Sequence, residues 1–269
     1  MNLTRELIIK PGKKVRLDDI DPDATPGFDS REEALAALEQ NKARMAELDA
    51  LLYAENRRSV LVVLQAMDAG GKDGAIRHVM TGFNPQGCKV KAFKAPSTEE
   101  LDHDFLWRIH RAVPAKGEIG VFNRSHYEDV LVVRVHNLVP KSVWSRRYDQ
   151  INTFEKQLAE NEVTILKFFL HISEEEQKKR LEARIKDPSK NWKIAMADIE
   201  ERKLWDDYQT AYEDAISKCN TKWAPWFVIP ANNKWYRNVA ISQIMVEAIE
   251  SLDMKYPKPS VDLSKLVVE

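Results

Sequence analysis

The chain is poor in cysteine and has no long apolar run. Its two cysteines, Cys88 and Cys219, lie far apart and without the spacing of a metal site. We therefore expect no disulfide framework and a reducing, cytoplasmic environment. No apolar run approaches the roughly 20 residues of a membrane span, and the first residues lack the pattern of a secretory signal, so we expect no membrane partner. The net charge of -1 excludes a polycation, and a polyanion must bind to a local basic patch.

The pattern of apolar residues predicts an α/β fold. A hydrophobic fraction of 43% over 269 residues is enough for the core of one large domain. Strand-like runs at 60–65, 89–93, 119–123, 163–172 and 227–230 alternate with helical patterns. This alternation predicts a five-stranded parallel sheet with helices on both faces, which is a three-layer α/β/α arrangement.

The predicted helices divide the chain into parts of one domain. An irregular arm and a long amphipathic helix occupy residues 1–56, the core 57–256, and a surface tail 257–269. The long helix begins at the capping pair Ser30 and Glu33, and it packs on the core or forms a subunit contact. Further helices are expected from Ser97 through His110, over 143–158 and from Ser173.

The most informative segment is SVLVVLQAMDAGGKDG, residues 59–74, in which an apolar strand meets a turn and a lysine. Glycines let the backbone approach an anion, and the free N–H groups of the following helix face that anion. The standard phosphate-loop motif G-x-x-x-x-G-K-[ST] has Gly and Ser or Thr where this chain has Ala66 and Asp73. The segment still predicts phosphoryl transfer, with phosphate bound by Ala69, Gly70, Gly71, Lys72, Asp73 and Gly74.

Carboxylates beside this loop predict a magnesium ion. Asp68 and Asp73 would repel phosphate unless a cation lay between them, and Mg²⁺ prefers oxygen ligands. Asp73 is either a metal ligand or a charge that stabilises the helix N-terminus.

A second polar segment follows the strand at 119–123. Arg124 is expected to bind phosphate, and Glu128 or Asp129 to supply negative charge near the metal, because chemistry in α/β sheets lies beyond the carboxyl ends of strands. Arg134 binds phosphate or lies on the surface. We interpret His126 as structural, because phosphoryl transfer needs little proton chemistry.

A basic helix and loop, KKRLEARIKDPSKNWK, predict a lid over about 178–200. Arg180 and Arg184 share one helical face, and Lys190 and Lys193 follow the helix break at Pro188. In P-loop kinases such a segment closes over the transferring phosphoryl group. We expect Trp192 to pack within the lid.

Taken together, these segments resemble the polyphosphate kinase 2 family. The resemblance runs from about Leu52 to Tyr256 and rests on VLQAMDAGGKDG, GFNPQGCKV, FNRSHYEDVLVVRV, ILKFFLHIS and WFVIPANNKWYRN. It implies a P-loop kinase fold close to thymidylate kinase, with a helical lid, magnesium as cofactor and a homo-oligomer. The motif FNRSHYE at 122–128 is similar to that of class III of the family, whose members phosphorylate both AMP and ADP.

The same resemblance implies roles for individual residues. Catalytic roles fall on Asp68, Lys72, Arg124, Glu128, Arg180 and Arg184. Asp68 and Glu128 would hold magnesium, and Lys190 and Lys193 would join the loop in binding polyphosphate. Asn84, Arg124 and Arg134 would face the acceptor nucleotide.

The sequence therefore predicts reversible, magnesium-assisted in-line transfer from polyphosphate to AMP and ADP, with GMP and GDP as possible acceptors and no nucleic-acid partner. One alternative is an ATP-dependent nucleoside monophosphate kinase, which would need a donor adenosine pocket instead of an extended basic track. The other is a non-catalytic polyanion-binding module.

Overall fold

The computed structural model describes residues 3–266. The strands are β1 (Ser59–Ala66), β2 (Cys88–Ala92), β3 (Ile119–Asn123), β4 (Val163–His171) and β5 (Trp226–Pro230). The helices are α1 (Leu3–Leu7), α2 (Arg31–Glu55), α3 (Lys72–Val79), α4 (Thr98–Leu101), α5 (Trp107–His110), α6 (Val132–Val135), α7 (Lys141–Glu160), α8 (Glu174–Lys186), α9 (Met196–Arg202), α10 (Trp205–Lys218) and α11 (Lys234–Glu250). Short 3-10 helices occupy Leu17–Asp19, Met80–Gly82, His126–Val130, Pro188–Lys193 and Leu263–Lys265.

The five strands form one parallel sheet in the order β2-β3-β1-β4-β5. Every residue of the central strand β1 is buried, because helices cover both faces of the sheet. Val60, Val62 and Leu64 pack on the side of α2, α3 and α11. Leu61 and Val63 pack on the other side, with α7 and α10. The predicted three-layer α/β/α fold with a five-stranded parallel sheet is confirmed.

Parallel pairing places the functional loops together. Val60 of β1 is in register with Ile119 of β3, and Leu64 with Asn123. The segments that follow β1 and β3 therefore leave the same edge of the sheet side by side. Residues at that edge are the ones that α/β sheets use for binding.

The long helix α2 begins and ends at residues suited to those positions. The Ser30 side chain accepts a hydrogen bond from the Glu33 backbone N–H, while the Glu33 carboxylate accepts one from Asp29 instead of Ser30. Only half of the predicted reciprocal cap is therefore formed. The helix ends at Glu55 and is capped by Asn56, whose φ of 49° lies in the left-handed region. Its buried side chains pack against α11, as expected for packing on the core.

The prediction of one helix from Ser97 through His110 is wrong. The reciprocal cap of Ser97 and Glu100 is present, but α4 ends at Leu101 and α5 begins only at Trp107. Asp104 separates the two helices, because its side chain and its carbonyl accept hydrogen bonds from the N–H groups of Leu106 and Trp107. Such local side-chain bonds compete with a continuous helix.

The N-terminal arm is more ordered than an irregular segment. Ile9 N–H donates to the Trp226 carbonyl at 2.9 Å, and the arm thereby covers the outer edge of β5. Leu7 and Leu17 are buried. The predicted surface tail is exposed along its described part, and residues 1, 2 and 267–269 lie outside the described chain. Among residues 3–266, no helix has the length and apolar character needed to cross a membrane.

Candidate active site

The phosphate loop connects β1 to α3 through an unusual backbone. Ala69 has a φ of 60° and Gly71 a φ of 106°, both in the left-handed region. A β-carbon on Gly70 would lie 2.5 Å from Ala66 Cβ, so this position needs glycine for close approach. Because Ala69 lacks the freedom of glycine, its conformation stores strain of the kind that gathers at functional sites.

Lys72 begins α3 and turns back towards the loop. Its Nζ donates to the Ala66 carbonyl at 2.8 Å. Burial lowers the pKa of Lys72, and the nearby Asp68 and Glu128 oppose that shift. Tyr212 of α10 also donates to the Ala66 carbonyl, at 3.0 Å. Sequence reasoning missed Tyr212, because nothing in its local sequence indicates a contact with a carbonyl 146 positions away.

Asp68, Arg124 and Glu128 gather around Lys72. Arg124 Nη2 lies 3.1 Å from Asp68 Oδ1, and Glu128 Oε1 accepts a hydrogen bond from Gln65 Nε2 at 3.2 Å. Burial would lower the pKa of Arg124, but the two carboxylates outweigh burial and raise it. Arg124 has a φ of 62°, so a strained backbone carries this guanidinium.

These side chains fit a hard divalent cation. Among residues 3–266 there is no cluster of three or more acidic, histidine or cysteine side chains that could hold a metal. Magnesium does not require one, since it commonly binds one or two carboxylates, water and substrate phosphates. Asp68 and Glu128, which act on the same lysine and arginine, are a donor set of that kind.

The other two acidic candidates contact side chains outside the group formed by Lys72, Arg124, Asp68 and Glu128. Asp73 Oδ1 accepts a hydrogen bond from Asn123 Nδ2 at 2.8 Å, and its Oδ2 lies 3.8 Å from Lys193 Nζ. Asp73 therefore links α3 to the end of β3 and to the predicted lid. Asp129 pairs with Arg147 at 2.9 Å, and burial raises the pKa of Asp129 to about 6.

The structure places Arg180 against the outside of the phosphate loop. Its Nη1 donates to the carbonyls of Ala69 and Gly70 at 3.0 and 3.1 Å. Its Nη2 donates to the Ala231 and Asn232 carbonyls, and its Nε to Glu176. In the described conformation the Arg180 guanidinium therefore stabilises the loop by hydrogen bonds to its backbone.

The rest of the predicted lid lies nearer to solvent. Lys190 pairs with Asp187 within the turn that follows α8, and Arg184 is partly exposed. Trp192 is 78% exposed, so the prediction that it packs within the lid is wrong.

The two other predicted nucleotide contacts are not at the loop. Asn84 precedes β2, and its N–H donates to Asp49 of α2 at 2.9 Å. It lines a cavity of about 500 Å³ at the amino ends of the strands. The phosphate loop follows the carboxyl end of β1, about 20 Å away at 3.3 Å per residue. Asn84 and the phosphate loop therefore lie at opposite ends of the strands, because α3 carries the chain from one to the other. The assignment of Asn84 to the acceptor nucleotide stays a prediction, which this separation disfavours.

Arg134 pairs with Asp214 of α10 in the described conformation. Its Nη1 lies 2.6 Å from Asp214 Oδ2 and 3.1 Å from Tyr148 Oη. Its guanidinium also stacks on Trp144 at 4.7 Å from the ring centroid. Both hydrogen bonds use Nη1, so the assignment of Arg134 to the acceptor nucleotide stays a prediction that is compatible with the Asp214 pairing.

A buried polar cluster lies directly behind the 3-10 helix His126–Val130. His126 Nε2 and Tyr127 Oη lie 3.1 and 2.8 Å from Glu155 Oε1. Lys167 Nζ lies 2.6 Å from Glu155 Oε2. His126 is fully buried, which agrees with its interpretation as structural.

The fold and this site define a phosphotransferase with a P-loop kinase fold. The chain belongs to the polyphosphate kinase 2 family: the family model described as Polyphosphate kinase 2 matches residues 29–257. The resemblance found in the sequence is thereby confirmed, and the protein is an enzyme, a polyphosphate-dependent kinase of nucleotides.

Relatives match over almost the whole chain. An AMP/ADP-polyphosphate phosphotransferase of Meiothermus ruber is 54% identical over 97% of this chain and 98% of its own length. An ADP-polyphosphate phosphotransferase of Rhodopseudomonas palustris is 47% identical over 95% of this chain and 92% of its own. The crystal structure of Polyphosphate Kinase 2 from Arthrobacter aurescens TC1 superimposes with a TM-score of 0.95 at 45% identity, covering 98% of this chain and 94% of that one.

Proposed function

We propose that this enzyme transfers the terminal phosphoryl group of inorganic polyphosphate to AMP and ADP, forming ADP and ATP, and that the reaction is reversible. The observation that carries the proposal is the convergence of Lys72, Asp68, Arg124 and Glu128 at the adjacent ends of β1 and β3. The cationic groups suit a transferring phosphoryl group, and the carboxylates suit its magnesium ion.

The side chains support an in-line transfer without a covalent protein intermediate. Lys72 neutralises charge on the transferring group, and Arg124 binds its oxygens from the β3 side of the loop. Asp68 and Glu128 would hold Mg²⁺, which would add charge neutralisation at the phosphate oxygens. Positioning and charge neutralisation provide most of the barrier reduction. The acceptor phosphate is ionised at neutral pH, so no general base is required.

Two considerations support AMP as well as ADP as acceptors. The Meiothermus ruber relative is named for both nucleotides, whereas the Rhodopseudomonas palustris relative is named for ADP. The motif FNRSHYE at 122–128 is similar to that of class III of the family and favours both AMP and ADP as acceptors. We further propose that GMP and GDP are accepted, that residues 178–200 close as a lid, and that the enzyme is a homo-oligomer in the reducing cytoplasm.

The test is product analysis with polyphosphate and each of AMP, ADP, GMP and GDP, without ATP. We expect ADP and ATP from AMP, and ATP from ADP. If polyphosphate gives no product with any acceptor, while AMP and ATP together yield ADP, the result would favour an ATP-dependent nucleoside monophosphate kinase. Polyphosphate binding without any magnesium-dependent turnover would favour a binding module. Light scattering measures the oligomeric state in the same preparation.

Lys72→Met tests the role of the loop itself. Because it removes the charge that faces the transferring group, we expect kcat to fall by about 10²-fold or more. Lys156→Met is the matched control, since Lys156 pairs with Glu160 on the exposed face of α7. A folded Lys72→Met enzyme with a wild-type rate would contradict the proposed role.

A further inference from the structure

Arg237 lies near the start of α11, with its guanidinium against the glycines of the phosphate loop. The residue is only 2% exposed. A β-carbon on Gly71 would lie 2.0 Å from Arg237 Nη1, and one on Gly74 would lie 3.0 Å from its Nη2. These two glycines therefore make room for a buried guanidinium in addition to shaping the loop.

The charge of Arg237 lacks a carboxylate partner. Its Nε and Nη2 donate to Asn238 Oδ1 at 3.1 and 2.7 Å, and within residues 3–266 no acidic side chain pairs with it. Burial and the nearby Arg180 lower the pKa of Arg237 to about 10. Arg180, in contrast, has Glu176 at 2.7 Å and four backbone carbonyls as acceptors. Buried charges are normally paired, because leaving water is costly for an isolated ion.

Further cations surround the same side of the loop. Arg180 Nη1 lies 3.5 Å from the point where a Gly71 β-carbon would be. Burial, Arg180, Arg237 and Lys190 all lower the pKa of Lys234, and Glu176 alone raises it. Lys190 is already paired with Asp187, so three cations, Arg180, Lys234 and Arg237, lie near one carboxylate, Glu176. The excess positive charge is adjacent to the loop.

The sheet order separates this cluster from Arg124. Arg124 follows β3, whereas Arg180 follows β4 and Arg237 follows β5, and β1 with its loop lies between β3 and β4. The loop therefore has a β3 side with Arg124 and the two carboxylates, and an α11 side that is almost entirely cationic. A long polyanion suits the cationic side, because each of its phosphates adds negative charge.

We propose that Arg237 is a binding residue for the polyphosphate donor. When polyphosphate occupies the loop, its negative charge compensates the Arg237 guanidinium beneath Gly71 and Gly74. This inference rests on the proposed function. In the free enzyme the unpaired charge opposes folding, and in the complex the donor balances it. Arg237 therefore couples donor binding to the stability of the folded chain.

The proposal distinguishes Arg237 from a structural arginine. Removing one partner of a balanced buried pair destabilises a protein, whereas replacing an unbalanced buried charge by an apolar side chain of similar length does not. We expect the ligand-free Arg237→Met enzyme to melt at the wild-type temperature or higher. Its KM for polyphosphate should rise about tenfold or more, and its KM for AMP should stay within about twofold of wild type.

The experiment combines steady-state kinetics with melting curves at increasing polyphosphate concentration, for wild type, Arg237→Met and Arg58→Met. Arg58 pairs with Glu55 and donates to the Leu252 carbonyl at the amino end of β1, opposite the end that carries the phosphate loop. The control, Arg58→Met, should have a lower melting temperature than wild type and an unchanged KM for polyphosphate. Arg237→Met should lose the rise in melting temperature that polyphosphate causes in wild type.

A folded Arg237→Met enzyme with the wild-type KM for polyphosphate would overturn the inference while leaving the proposed function intact. Absence of turnover and of stabilisation by polyphosphate in wild type would instead overturn the proposed function. If Arg237→Met does not fold, Arg237→Lys keeps the charge but shortens its reach. A raised KM for polyphosphate with an unchanged KM for AMP in Arg237→Lys would support the inference, and two unchanged values would contradict it.

Discussion

Lys167 Nζ lies 2.6 Å from Glu155 Oε2, and neither side chain is exposed to solvent. The ammonium group also donates to the Cys219 carbonyl and to Tyr127 Oη. Burial would raise the pKa of Glu155, but Lys167 and His126 outweigh burial and hold it below its ordinary value. The pair fixes two residues of the segment between Arg124 and Glu128, and it thereby supports the active site from behind.

Lys167→Met should strongly destabilise the enzyme, because it leaves the buried Glu155 carboxylate without its ammonium partner. We expect a loss of about 3–5 kcal/mol, measured by urea unfolding at neutral pH. The double variant Lys167→Met with Glu155→Leu should recover much of that loss, since no charge is left unpaired. A single variant as stable as wild type would show that the pair does not balance these charges.

Asp129→Asn should change the pH dependence of stability. The pKa of Asp129 in the folded chain is about 6, above its ordinary value of 3.8. The folded state therefore holds this proton more tightly, and the wild type gains stability from this group as pH falls from about 6 towards 4. The amide is neutral throughout, so the variant should exceed wild type above pH 6 by up to about 3 kcal/mol and by less at pH 5. Urea unfolding at pH 5 and 7.5 measures both differences, and a pH-independent difference would contradict the prediction.

The three acidic residues near the loop should differ in their effect on the metal requirement. Asp68→Asn and Glu128→Gln should raise the half-saturating Mg²⁺ concentration about tenfold or more, because each removes a proposed ligand. Asp73→Asn should change it much less, because Asp73 contacts Asn123 and Lys193 instead of Arg124. Asp68 and Glu128 are the two carboxylates that act on both Lys72 and Arg124. Activity against Mg²⁺ concentration is the measurement. A tenfold rise for Asp73→Asn would make Asp73 a ligand, and this is the alternative that the sequence left open.

Asn84→Ala should leave the KM for AMP within about twofold of wild type, as expected of a change away from the site. Asn84 lies at the amino edge of the strands, where its side chain accepts a hydrogen bond from Gln86 N–H. Arg124→Met provides the comparison and should impair turnover severely. A large effect of Asn84→Ala on the KM for AMP, with an unchanged melting temperature, would restore Asn84 to the nucleotide site.

The strands and the loop were predictable because their cause is local. An apolar run before Gly70-Gly71-Lys72 is buried and pairs in parallel, and the structure extends the predicted β1 by only one residue at each end. The segment from Ser97 to His110 was not predictable in this way. Its helical pattern is real, but Asp104 accepts hydrogen bonds that end the continuous helix.

The sequence by itself determined the fold class, the family and the segments that form the phosphate loop, since periodicity, glycines and one lysine are local properties. Only the tertiary structure decided which distant groups meet. It brought Tyr212 and Lys72 to the same carbonyl, placed Arg237 against Gly71, and carried Asn84 to the far edge of the sheet. The physical reason is that the register and order of parallel strands set these distances, and no spacing along the chain records them.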